Sequence, residues 1–223
     1  MLKSEKLATL EREIISCRRC PRLAAWREEV AREKRASFED ETYWGRPVPG
    51  FGDPEASIVV FGLAPAAHGA NRTGRYFTGD RSGDFLFAAL YRTGFASSPV
   101  SRRPDDGMRL SGLWISAAVR CAPPQNKPTP AERDACLPYA ARELELLDAK
   151  VVVCLGAFAW DAALRLLGVR PKPKFSHGAE HWIGPLILLG CYHPSQQNTF
   201  TGVLTPEMLD EVLSRSRELS GPG

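Results

Sequence analysis

The chain has 223 residues, with 29 Lys and Arg against 26 Asp and Glu for a net charge of +3, 43% hydrophobic and 25% charged residues. That length and balance describe a folded globular protein, with one large domain as the expectation, and the charge is too small to name a partner by itself. The longest apolar runs, around 151–160 and 185–192, are too short to span a membrane and MLKSEKLATLEREI is charged and amphipathic rather than a leader, so the expected compartment is the cytoplasm.

A helical period over 4–16 ends at CRRCPRL, and a second, mixed-charge helix is expected over 22–36. FEDETYWGRPVPGFGDPEA follows as a long irregular connection. Ser57–Leu63 reads as the first buried strand, and it feeds FGLAPAAHGANRTGRYFTGD (61–80), a glycine-rich basic loop ahead of a helix over 82–93 that Gly94 stops. Strand, loop, helix is the arrangement of an α/β binding site. Glycines 62, 69, 74 and 79 are expected to let backbone amides approach a ligand, and Arg72, Arg75 and Arg81 favour an anionic one. The loop carries neither GxGxxG nor a Walker-type GxxxxGK, so a nucleotide site is unsupported.

After a polar excursion over 95–110, Leu113–Val119 reads as a second buried strand, leading into RCAPPQNKPTP, whose prolines forbid regular structure. Thr129, Pro130 and Glu132 mark the start of a helix to about Leu147. Lys150–Leu155 is a third strand, Gly156 turns, and an apolar helix over 157–167 is stopped by Gly168. KPKFSHGAEHWIGP reads as a turn, Leu186–Gly190 as the fourth strand, CYHPSQQNTFTG as a loop, and a last helix starts at Pro206. Strands separated by helices predict a three-layer α/β fold with a central four-stranded parallel sheet.

Six cysteines are present in a chain expected to be reduced, so disulfides do not explain them. Cys154 and Cys191 lie inside apolar strands and read as small core residues. Cys17, Cys20, Cys121 and Cys136 lie outside them, and four thiolates satisfy either a Cys₄ zinc site or a 4Fe–4S cluster; a redox C-x-x-C pair would leave two unexplained. Either metal would clip the N-terminal segment 1–50 to the core of a single domain spanning 1–223.

With GLAPAAHGANRTGRYFTGD, CAPPQNKPTPAERDAC and CYHPSQQNT in view, the chain resembles the uracil-DNA glycosylase superfamily, specifically family 5 (type B, iron–sulfur containing), in order through nearly its whole length. The resemblance implies a DNA repair glycosylase that hydrolyses the N-glycosidic bond of uracil, and of other deaminated bases such as hypoxanthine, leaving an abasic site. It implies that Cys17, Cys20, Cys121 and Cys136 hold a 4Fe–4S cluster, with zinc as the lesser alternative, and that the protein works as a monomer on nucleoid DNA. It carries a stacking role onto Phe77 and a hydrogen bond to uracil O2 onto His193. Gly62, Ala64, Asn126 and Ser195 would line the base, while Gln197 and Asn198 join Arg72, Arg75 and Arg81 on DNA.

The departures are informative. Where better-known relatives place a water-orienting carboxylate or amide, this chain has Ala64, and where family 4 has Glu it has Leu63. Asp80 matches the substitute proposed in family 5, and equally fits the N-cap of the following helix. Ala117 stands where family 4 reads the pyrimidine with Asn. His68 is a further candidate of undefined role. Two alternatives remain at this point: a metal-dependent phosphoesterase using Asp80, Asp84, His68 and His193, and a non-catalytic lesion-binding module.

Overall fold

The computed structural model describes residues 2–221. In chain order the elements are α1 (Lys3–Ile15), α2 (Pro21–Glu33), β1 (Phe51–Gly52), β2 (Ile58–Gly62), α3 (Ala70–Thr73), α4 (Arg81–Arg92), β3 (Leu113–Ala117), α5 (Pro130–Leu147), β4 (Val151–Leu155), α6 (Ala157–Leu166), β5 (Glu180–Ile183), β6 (Leu186–Cys191), α7 (Gln196–Phe200) and α8 (Pro206–Ser220). The expected four-stranded parallel core is present as β3-β2-β4-β6, in parallel register throughout. Two antiparallel edges extend it to six strands: β1 on β3, and β5 on β6. These edges, and α3 and α7, were expected as loops. β1 is too short to leave a pattern, and β5 alternates half-buried and exposed positions inside a stretch whose glycines and prolines read as a turn.

Every residue of β2, β3 and β4 is buried, which is why these segments are continuously apolar rather than alternating. Ile58, Val60, Ile115 and Val153 face Leu86, Phe87 and Leu90 of α4 and Leu209 and Leu213 of α8. Val59, Phe61, Val152, Cys154 and Leu188 face Leu137 and Ala140 of α5 and Trp160 and Ala163 of α6. Cys154 and Cys191 are fully buried core residues, as expected. No helix among the described residues is long and apolar enough to cross a membrane.

Between sheet and α5 lies a buried ion pair, Arg120–Glu143, with both side chains at most 2% exposed. Two guanidinium N–H groups donate to the carboxylate at 3.1 and 2.6 Å, and Ser116 Oγ and the Gly50 amide donate to it at 2.5 and 3.2 Å. Removing one partner from such a pair strands a charge in an apolar interior. Glu143→Gln is therefore expected to lower the unfolding free energy by about 3–5 kcal/mol in urea denaturation; a loss below about 1 kcal/mol would mean that water reaches the pair.

Candidate active site

The parallel strands end together, and the segments that follow β2, β3 and β6 converge on one narrow pocket of about 60 Å³. Gly62, Leu63, Ala64, Ala66, Phe77, Ala117, Asp80 and His193 line it. Of the residues expected around a base, the structure thus gathers Gly62, Ala64, Phe77, Asp80 and His193. The Phe77 and His193 rings stand 6.2 Å apart between centroids, tilted by 39°. Phe77 is held at φ +53°, a conformation that costs a bulky residue roughly 1–3 kcal/mol and persists only where neighbours impose it. Gly83 allows it, because a Cβ there would lie 1.9 Å from the Phe77 carbonyl oxygen. Gly83 was not expected as a site residue; the visible signal was a glycine placed inside the first turn of a helix, where its propensity is poor.

His193 donates to no described side chain, and its main-chain carbonyl accepts from Asn198 Nδ2 at 2.8 Å. Burial pushes its pKa down to about 4, so the imidazole is neutral around pH 7. Asp80 is the N-cap of α4: its Oδ1 accepts from the Gly83 amide at 2.8 Å. Its Oδ2 has no hydrogen bond among the described residues and lies where a Gly69 Cβ would come within 2.1 Å. Capping and a free carboxylate oxygen at the pocket mouth are therefore compatible, one per oxygen. Burial raises the Asp80 pKa, opposed by the amides at the helix start.

The basic loop divides its arginines. Arg72 is buried, with Nε donating to the His68 carbonyl, another N–H to Gly79 O at 2.8 Å, a carboxylate partner in Glu41 and the Phe38 ring 3.9 Å away. Arg75 is buried and donates to Thr78, Ser101, the Pro104 carbonyl and Asp106. These two were expected on DNA; the structure turns them inward, where they hold the loop's shape, and their donors are spent there. The glycines likewise serve internal approach: Gly79 makes room for Arg72, and Gly74 for Trp44. Arg81 remains exposed over the Phe200 ring, without a carboxylate partner among the described residues.

Ser195 caps α7 by accepting from the Asn198 amide, so Ser195 and Asn198 together shape the turn that presents His193; neither lines the pocket. Gln197 is exposed. Asn126 is exposed at φ +56° and lines, with Arg81, Asp80 and His68, a wider groove of about 670 Å³ that shares Ala66 and Asp80 with the narrow pocket. The phosphoesterase set is not assembled: Asp84 lines a groove that it shares with Asp80 but with neither His68 nor His193, and no three His, Cys, Asp or Glu side chains among the described residues form a metal-holding group.

That last finding includes the four cysteines. Cys17, Cys20, Cys121 and Cys136 nevertheless line one small cavity together, walled by Leu23, Val119 and Tyr139. Arg27 Nη1 donates to Cys121 Sγ at 2.8 Å and the Arg120 amide to Cys136 Sγ at 3.3 Å. Both arginines also line the cavity and keep a buried Nε–H without an acceptor. Burial pushes the Cys136 thiol up to about 12, so this sulfur ionises only against a cation. Four thiols, an apolar wall and spare N–H donors fit a thiolate-ligated metal cluster.

The family profile described as the Uracil DNA glycosylase superfamily matches residues 49–216. A type-5 uracil-DNA glycosylase of Mycobacterium bovis is 57% identical over 210 residues, covering 92% of this chain and 78% of that protein. One of Thermus thermophilus is 54% identical over 211 residues, 93% and 95% of the two chains. A type-4 uracil-DNA glycosylase of Archaeoglobus fulgidus is 30% identical over 198 residues, 86% and 82%.

The inward-facing Arg75 has a pH signature. Although burial opposes it, Arg75 and the amides of Arg102, Met108 and Arg103 hold the Asp106 carboxyl down at about 2. A folded-state pKa below the unfolded one contributes stability that is complete above about pH 4 and is lost as pH falls through about 2, here roughly 2 kcal/mol. Acid titration of stability is expected to show that slope in the wild type and not in Asp106→Asn; identical curves would place Asp106 in free solvent.

Proposed function

We propose, since this chain belongs to the uracil DNA glycosylase superfamily, that the pocket between Phe77 and His193 is where it holds the base that it releases. The reaction is that of a uracil-DNA glycosylase, a hydrolase acting on N-glycosyl bonds: the bond from C1′ to the uracil nitrogen breaks, a water oxygen bonds to C1′, and an abasic site remains in DNA. The observation that carries the assignment of roles is the juxtaposition, in one enclosed pocket, of an aromatic ring, a neutral imidazole and a single carboxylate oxygen.

The nucleotide has to leave the helical stack to enter so narrow a pocket. Phe77, whose backbone packs against Gly83, offers its ring to the base. As the bond breaks, electrons move into the base and negative charge grows on its carbonyl oxygen. A neutral His193 N–H donated to that oxygen stabilises the charge where it develops, with no proton lost beforehand. Asp80 lines the pocket, where its Oδ2 would orient the attacking water, accept its proton, and face the positive charge that appears on the sugar. Arg81 and Asn126 line the adjoining groove and contact the strand. Ala117, Ala64 and Ala66 leave the base edge unread, so we extend the substrate range to at least one deaminated purine such as hypoxanthine.

Cys17, Cys20, Cys121 and Cys136 would hold a 4Fe–4S cluster, with Arg27 and Arg120 supplying hydrogen bonds to sulfur. When bound, such a cluster supplies a rigid cross-link, here between the start of α2, the end of β3 and α5, and clips segment 1–50 to the one domain.

The test is release of uracil from an oligonucleotide in EDTA, with alkali to reveal abasic sites. His193→Ala is expected to slow turnover by about 10²–10³ with little change in DNA affinity; wild-type turnover would make the residue structural. Single-turnover rates on uracil and hypoxanthine duplexes check the range: Ala117→Asn is expected to narrow it toward uracil, and strict uracil specificity in the wild type would assign the reading of the pyrimidine edge to another group. The purified protein is expected to be brown with about four irons per chain. Cys17→Ser is expected to lose colour and Cys154→Ser to keep it, whereas a colourless zinc protein with full activity would exclude iron.

A further inference from the structure

His68 belongs to the signature loop yet has no part in the chemistry above, and its surroundings are more constrained than those of a surface histidine. Its carbonyl accepts from Arg72 Nε at 2.8 Å, and its Nδ1 lies 3.1 Å from the hydroxyl of Tyr43, a buried side chain. The Arg35 amide donates to the same hydroxyl oxygen at 3.4 Å. The Tyr43 proton has no other acceptor among the described residues, so it goes to His68 Nδ1. That fixes the tautomer: Nδ1 accepts, and Nε2 carries the hydrogen. Burial, then Arg35 and Arg72, lower the His68 pKa, which keeps the ring neutral.

Nε2 has no acceptor among the described residues, and His68 lines the wide groove that opens beside the base pocket. Arg35 and Arg81 line the same groove and form no salt bridge among the described residues. The one carboxylate there, Asp80, is committed to the start of α4 through Oδ1 and has Oδ2 against Gly69. A fixed N–H donor between free guanidinium groups suits a phosphate oxygen. A nucleotide extruded into the neighbouring pocket must leave its own flanking phosphates in this groove, because the two cavities share Ala66 and Asp80.

We propose that His68, locked by Tyr43, donates its Nε2 hydrogen to one phosphate flanking the extruded nucleotide, and so registers the DNA strand against the base pocket. The proposal rests on the base-pocket reading given above. Arg35 and Arg81 supply charge without position; His68 supplies position without charge.

The experiment measures binding and single-turnover uracil release at pH 8, using oligonucleotides in which each phosphate near the uracil is replaced in turn by a methylphosphonate. One flanking replacement is expected to weaken wild-type binding about tenfold or more, and to have no further effect in His68→Ala. His68→Gln, which keeps an N–H at the same reach, is expected to recover much of the loss, and Tyr43→Phe to lose part of it by freeing the tautomer. Because the ring is neutral, His68→Ala is expected to leave the salt dependence of binding unchanged, whereas Arg81→Ala lowers its slope by about one. At saturating enzyme the loss in the rate of uracil release in His68→Ala should be smaller than its loss in affinity. The proposal is overturned if every methylphosphonate acts equally in the wild type and in His68→Ala, or if the saturated rate falls while affinity holds. Failure of the wild type to release uracil at all would overturn the base-pocket reading instead.

Discussion

Arg120 and Glu143 place opposite charges where neither water nor another charge reaches them, and the rest of the structure is arranged to keep that pair satisfied. The carboxylate takes hydrogen bonds from Arg120, from Ser116 on β3 and from the Gly50 amide beside β1. Glycine is required at position 50, because a Cβ there would meet Trp114 Nε1 at 2.3 Å and Glu143 Oε1 at 2.5 Å. Attraction inside a protein offsets the desolvation of two ions only with close bonding, and Arg120 Nε–H lacks an acceptor among the described residues, so the pair contributes registration of parts more than net stability. What it registers is the end of β3, α5 and the segment before β1. Because the backbone of Arg120 donates to Cys136 Sγ and its neighbour is Cys121, the same pair fixes the floor of the cysteine cavity.

From that floor a second chain of contacts runs to the base pocket. Arg27 donates to Cys121 Sγ and to the Cys17 carbonyl, and its own carbonyl accepts from the buried Asn71 side chain at 3.2 Å. Asn71 lies in α3, inside the loop that carries Phe77 and Asp80, and the Asn71 and Arg72 carbonyls accept from the amides of Gly45 and Trp44. The loop is therefore held from behind by α2 and the 41–48 segment, and from within by Arg72 and Arg75. Such support from a packed scaffold is what allows a strained Phe77 to persist.

This division between inner and outer arginines is where sequence reading and structure part. Residue type and spacing identify a basic loop, but guanidinium orientation depends on carboxylates far away in sequence: Glu41 for Arg72 and Asp106 for Arg75. Neither carboxylate forms part of the motif. The Arg120–Glu143 pair is hidden for the same reason, 23 residues apart across a strand end and a helix. The four core strands were legible because burial on both faces leaves unbroken apolar runs, and the helix at Pro130 because Thr129 and Glu132 form a complete capping box. Phe77, His193 and Asp80 were legible only through long motifs in order; composition alone would have left two aromatic rings and a cap.

Environment acts in opposite directions on the two titratable groups of the pocket, His193 and Asp80. Both are desolvated, and desolvation disfavours whichever form is charged: it lowers the imidazole pKa and raises the carboxyl. His193 has nothing nearby to restore its charge and stays neutral. Asp80 does, because the Gly83 amide at the start of α4 donates to Oδ1 and favours the anion. On the reading proposed above, the pocket sets a neutral donor against the departing base and the Asp80 carboxylate against the sugar. That polarity matches a departing base that becomes negative and a sugar that becomes positive. Apart from Tyr76, Phe77 and Ser82, the rest of the lining is Gly62, Leu63, Pro65 and alanines 64, 66, 70 and 117, whose side chains offer a base edge no hydrogen bond. On the proposed reading, selectivity falls on the step before chemistry: a base that is already poorly paired costs less to extrude, and a normal pair resists.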